Sequence, residues 1–151
     1  MFKTHLAFGL LIALFVSEFL GLEEKLLFIS VCVVSSILPD IDTPFSKIGR
    51  KFPPISWLFN ILFGHRGLMH TIYFPLLIYF IFRAFGQHLF AGAFFLGYMS
   101  HLIIDMLNIK GIYFFFPLNR TRLNGFIKSG GVLEWVLFVL ILVGIFWFLF
   151  F

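Results

Sequence analysis

Apolar residues along the chain gather into five runs, at positions 6–20, 26–38, 71–85, 89–109 and 132–151. A helix crossing a bilayer takes about 20 apolar residues, and the last run has that length. The second and third runs are short, so they must extend into their flanks or thin the local bilayer. Polar and turn-forming residues collect between the runs. Two connections are short, 21–25 (GLEEK) and 83–88. Two are long, 39–64 and 110–131, and hold Pro44, Pro53, Pro54, Gly111, Pro117 and the Gly130-Gly131 pair, residue types that punctuate helices. Within them, 52–63 with Trp57 and 112–127 with Arg120 and Arg122 mix aromatic and basic side chains suited to the headgroup layer. The pattern predicts an all-α fold, a polytopic membrane helix bundle of about five hydrophobic helices with interfacial helices, in a single domain over 1–151. The first run lacks a small-residue cleavage site and is read as a retained anchor.

Composition agrees with a lipid solvent. Hydrophobic residues make up 61% of the chain and charged residues 12%, against about 25% charged in soluble domains. A soluble chain of this size has too much surface to hide so many Phe, Leu and Ile residues. The net charge of +4 lies in the connections, so it reads as membrane orientation and no nucleic-acid partner is expected. With the N-terminus inside, nine of the eleven Lys and Arg residues fall on inside segments, leaving Lys25 and Arg83 outside. Cytoplasmic loops carry such an excess, which predicts a multi-pass plasma-membrane protein with a cytoplasmic N-terminus. The single cysteine, Cys32, sits in an apolar run and reads as packing.

Placed on that topology, His5, Asp40, Asp42, His65, His70, His101, Asp105 and Glu134 all fall at cytoplasmic helix ends. Lys and Arg alone set the topology, so this clustering is independent of it. Intramembrane ionisable groups are costly and mark functional sites, and mixed His/carboxylate sets suit Zn, Mn or Fe. His101 and Asp105 are four apart and share a helix face, which equally suits a buried His–Asp hydrogen bond. Pro39-Asp40-Ile41-Asp42 ends a helix, where both carboxylates can turn to one point; ordinary turn chemistry gives the same residues. In Gly64-His65-Arg66-Gly67-Leu68-Met69-His70 the glycines let His65 sit in a loop while His70 opens a helix. Glu134 fits a ligand-orienting or general-base role, or simply a charge at a helix N-terminus. His88 and Glu18 belong to the opposite membrane face, and Glu23 and Glu24 to a solvated turn.

The order of these motifs resembles the prokaryotic membrane-bound metal-dependent hydrolases of the YdjM type. The matching residues are Thr4-His5 with Gly9, Leu38-Pro39-Asp40-Ile41-Asp42, Gly64-His65-Arg66-Gly67 with His70-Thr71, Gly97-Tyr98 with Ser100-His101 and Asp105, Gly111 with Phe116-Pro117, and Glu134. That family is more distantly similar to zinc-dependent phospholipase C and P1-type nucleases, whose histidine four before an aspartate corresponds to His101 and Asp105. Two departures bear on the metal count. Asn108 stands where the membrane family has Thr, and no histidine follows His101. One or two ions therefore fit better than three.

The expected function is that of a metal-dependent hydrolase in the prokaryotic inner membrane. It would cleave a phosphoester of a lipid or lipid-linked substrate at the cytoplasmic face. The expected metal ligands are His5, Asp40, His65, His70, His101 and Asp105, holding a divalent metal, Zn by preference with Mn as the alternative. Glu134, Arg66 and Asp42 are the expected catalytic residues, Arg66 because guanidinium pairs well with phosphate. Two other classes stay open. A metal could merely pin helix ends in a non-catalytic protein. An ion transporter is disfavoured, because helices one and five carry no polar residue past mid-membrane except Glu18.

Overall fold

The computed structural model describes residues 1–63 and 66–150, without the side chain of Phe63. It is all-helical, with no strand among the described residues. Six α-helices form in order: α1 (Phe2–Phe19), α2 (Lys25–Ser35), α3 (Pro53–Phe63), α4 (Tyr73–Ala84), α5 (His88–Met106) and α6 (Val132–Phe150). Short 3-10 turns at Leu38–Asp42, Gly49–Lys51 and Leu68–His70 link them.

Three helices, α1, α5 and α6, are long and apolar enough to cross a membrane. The runs expected as second and third spans fold as α2 and α4, of 11 and 12 residues. At 1.5 Å per residue these are only about 17–18 Å long, well short of a bilayer core. Proline and polar residues stop them. Pro39 follows α2 within a 3-10 turn, and the turn carrying His70 precedes α4.

Helix α5 is the hub and packs against α1, α2 and α4, while α6 leans on α1 alone among the long helices. Small residues bring the inner helices together. A Cβ on Gly97 would stand 2.0 Å from the Cys32 carbonyl oxygen, and one on Gly9 2.4 Å from the Ser36 Cβ. The Cys32 thiol donates to the Gly9 carbonyl at 3.7 Å, which fits its expected packing role. By contrast, α6 keeps most of its surface exposed. Together with Leu77, Phe80 and Ile81 on α4, these outward apolar side chains form a surface for lipid.

The two stretches expected at the membrane surface differ. Residues 53–63 form α3, which contacts mainly the turns at Leu38–Asp42 and Gly49–Lys51. Its polarity is inverted: Ser56 is buried and Asn60 donates to the Asp42 carbonyl at 2.9 Å, while Ile55, Trp57, Leu58, Ile61 and Leu62 point outward. Residues 112–127 form no helix. Ile112 and Leu123 exchange two backbone hydrogen bonds of 2.9 Å, and Asn108 bridges to Ile127. Pro117 and the glycines at 111 and 125 break any helical ladder there.

Candidate metal centre

The start of α1, the turn after α2, the turn before α4 and the last turns of α5 meet at one end of the bundle. His5, Asp42, His70, His101 and Asp105 are each at most 3% exposed there. Asp40 is the more open member, its side chain 21% exposed.

Asp105 is the centre of the cluster. Its Oδ1 lies 3.6 Å from His5 Nε2 and 3.1 Å from an Arg66 Nη. Its Oδ2 lies 3.4 Å from His70 Nε2 and 3.9 Å from His101 Nε2. His101 Nε2 is also 3.8 Å from Asp40 Oδ1. Two triads, His5–His101–Asp105 and Asp40–His70–His101, each offer ligand atoms within 4.8 Å of one another. Separations of 3.6–3.9 Å are too long for hydrogen bonds. They match the edges of a coordination shell, since four bonds of about 2.1 Å in a tetrahedron put ligands about 3.4 Å apart.

The neighbours of the histidines aim them. His101 Nδ1 sits 2.8 Å from the Ser36 carbonyl. A carbonyl only accepts, so Nδ1 holds the proton and Nε2 presents its lone pair to the cluster. That Nε2 is buried with no hydrogen-bond partner among the described residues. An orphaned, inward-aimed imidazole nitrogen facing two carboxylates fits a divalent ion, because such groups are costly when left unsatisfied. His70 Nδ1 lies 2.9 Å from Asp42 Oδ2, which leaves its Nε2 directed at Asp105. Burial pushes the His70 imidazole down. The hydrogen bond and charge of Asp42, with Asp105 and Asp40 behind it, more than offset this and hold its pKa above the ordinary value. Metal loading would therefore release a proton. The His5 and His101 rings stack at 3.8 Å.

Only His101 Nε2 remains for coordination, so His101 can serve one ion and not one in each triad. Arg66 already occupies Asp105 Oδ1. The least contested donor set is thus Asp40, His70 Nε2, His101 Nε2 and Asp105 Oδ2, with His5 beside it.

The three residues expected to be catalytic, Asp42, Glu134 and Arg66, sit outside that set. Asp42 faces His70, and its Oδ2 also accepts the Arg66 backbone N–H at 2.9 Å. It positions a histidine rather than facing the cleft. Glu134 touches no cluster histidine. It accepts from the Thr4 hydroxyl at 2.9 Å, the Met1 amine at 2.8 Å and the Gly130 N–H at 2.6 Å, and so anchors the start of α1 next to His5. His65 lies outside the described residues. Arg66 adopts φ +64°, and its guanidinium spans from Asp105 to the Gly111 carbonyl, 2.8 Å from the second Nη.

Other groups support the site without being expected as ligands or catalytic residues. The Ser36 carbonyl is one, and backbone acceptors leave no trace in residue identity. Tyr98 is another: its hydroxyl donates to the Met69 carbonyl at 2.7 Å, fixing the turn that carries His70. Its place one turn before His101 was the available signal. Asn108, the departure from the family pattern, is buried and braces the loop by donating to Ser129 Oγ at 2.7 Å and accepting from the Lys110 N–H at 2.8 Å. His5, Asp40, Asp105 and Arg66 line a cleft of about 520 Å³ together with Lys47, Lys110 and Phe2.

The profile of the YdjM inner membrane protein family matches residues 1–150. The chain is 35% identical over 135 residues to the uncharacterized protein YvsG of Bacillus subtilis, covering 87% of this chain and 83% of that one. It is also 35% identical over 106 residues to the inner membrane protein YdjM of Escherichia coli, covering 66% of this chain and 54% of that protein. The chain thus spans about half the length of the Escherichia coli relative. No solved structure matches.

Proposed function

The chain belongs to the YdjM inner membrane protein family, and on that footing we propose that it is a membrane-embedded, metal-dependent phosphoester hydrolase. Its substrate would be a lipid or lipid-linked phosphoester met at the cytoplasmic face. The carrying observation is the buried His101 Nε2, which has no hydrogen-bond partner among the described residues and faces Asp40 and Asp105 at 3.8 and 3.9 Å. Asp40, His70, His101 and Asp105 would hold the ion, with His5 available to a second. A divalent ion there, Zn or Mn by donor type, would supply Lewis-acid polarisation of a phosphoryl oxygen and acidify water.

The chain's own groups account for the rest. Arg66, fixed at both nitrogens, would meet a phosphate with a preset guanidinium. Lys47 and Lys110 add positive charge along the same cleft. Asp42 holds His70 in one tautomer, and Glu134 holds the helix start that carries His5. His70, Asp42 and Asp105 are buried, which strengthens the charge interactions among them.

A structural-metal reading has one observation in its favour. The donors come from four separate chain segments, so an ion would also cross-link the bundle. One experiment decides between them. Purified wild type is assayed for bound metal and against a panel of lipid and nucleotide phosphoesters, beside His101→Ala and Asp105→Asn. Hydrolysis lost in both variants together with the metal supports the enzyme, and the double variant should be little worse than either single one. Metal lost without any wild-type hydrolysis leaves the structural role. Metal retained in both variants removes the metal centre altogether.

A further inference from the structure

A second cavity adjoins the cleft. It is a groove of about 290 Å³ between α1 and α6, lined by Phe2, Leu6 and Leu10 on one side and Phe138, Leu142 and Ile145 on the other. Phe2 belongs to both the groove and the cleft that holds His5, Asp40, Arg66 and Asp105. At that shared residue the lining changes from apolar to charged. The Lys47 ammonium lies over the Phe2 ring, 5.1 Å from its centroid, and Lys3 borders the groove at the same end. From Phe2 to Leu10 the groove follows two turns of α1, about 12 Å at 1.5 Å per residue.

We infer that this groove binds one acyl chain of an anionic phospholipid whose phosphate sits in the cleft among Arg66, Lys47 and Lys110. The inference rests on the hydrolase reading and names its substrate as a membrane lipid rather than a soluble phosphoester. The chemistry runs in one direction along the groove: an apolar trough, then an aromatic ring capped by an ammonium, then a basic cleft ending at the His/Asp cluster. A phospholipid carries the same sequence of groups from tail to phosphate. The cations of the cleft, Lys47 and Lys110 beside the Asp105-paired Arg66, also favour an anionic lipid over a neutral one. Most of α6 is exposed outside the bundle, so the groove beside it is open to lateral entry from the bilayer.

Photolabelling tests this without turnover. The full-length protein in detergent micelles is irradiated with phosphatidic acid bearing a diazirine on one acyl chain, and adducts are mapped by mass spectrometry. Adducts should concentrate on Leu6, Leu10 and Leu142. Unlabelled phosphatidic acid should compete at least several-fold better than diacylglycerol. Leu6→Trp and Leu142→Trp, which fill the groove, should cut labelling several-fold, as should Lys47→Glu. Phe80→Trp, on the outward face of α4, should not. Adducts spread equally over α4 and α6, or equal competition by diacylglycerol, would overturn the inference even if a filling variant fails to fold. Groove-specific labelling in a protein that cleaves no phosphoester would uphold the groove and sink the hydrolase reading. Cleavage without groove labelling would do the reverse.

Discussion

At the scale of single residues, the cluster is held by groups that face away from the cleft, such as Asp42. Asp42 fixes the His70 ring from behind, so Asp42→Asn keeps the shape and loses the charge. Such partners are worth about 10–100-fold in metal affinity. Titration of the purified variant with Zn should show weakening in that range, with the helical content unchanged. An affinity equal to wild type would mean that His70 is not a ligand. Because His70 is held above its ordinary pKa by Asp42, Asp105 and Asp40, wild-type affinity should also fall as the pH is lowered. The residue types and the convergence of His5, Asp40, His70, His101 and Asp105 were readable from the chain. The division between ligand and support was not, because it depends on which imidazole nitrogen meets which carbonyl or carboxylate. The sequence cannot tell the carboxylate of Asp42, turned to a ring nitrogen, from that of Asp40, turned to the cleft.

At the scale of elements, α2 and α5 approach until backbone meets backbone. Gly97→Ala would place a methyl 2.0 Å from the Cys32 carbonyl oxygen, and no side-chain rotation can relieve that. Overpacking costs about 1–3 kcal/mol even where side chains can move. The variant should therefore unfold measurably more easily in mixed detergent titrations, and because Ser36 O orients His101 it should lose metal as well. Normal stability in Gly97→Ala would show that the helices can part freely. Element identity was largely legible: five apolar runs became α1, α2, α4, α5 and α6. Span number was not. Apolarity marks contact with lipid or core alike, so short runs such as 26–38 and 71–85 look like spans until their helix ends are seen. The backbone state of residues 112–127 was not legible either, because aromatic and basic content reports the interface and not the backbone state.

At the scale of the whole molecule, every donor lies at one end of the bundle, so a single choice of orientation decides which compartment the cleft serves. Counted over five crossings, the nine-to-two distribution of Lys and Arg predicts that it faces inside. A cysteine replacing Lys47 should be shielded from membrane-impermeant thiol reagents in intact cells, whereas one replacing Glu23 should be labelled. Reversed labelling would turn the cleft outward and change the available substrates. Native Cys32 is fully buried and should stay silent in either case.

The donors also arrive at very different times. His5 leaves the ribosome first, and Asp105 follows a hundred residues later, an interval of about 5–20 s at bacterial rates of synthesis. During that interval Asp42 and His70 can already pair, yet His101 and Asp105, which face Asp40 and the other His70 nitrogen, do not exist. Helix α5 packs against both α2 and α4, so before it arrives Asp40 and His70 would lack half of their buried surroundings. Insertion of α5 would then be the step that closes the bundle, and a translational pause before His88 should prolong the period in which quality-control proteases can reach the unassembled chain.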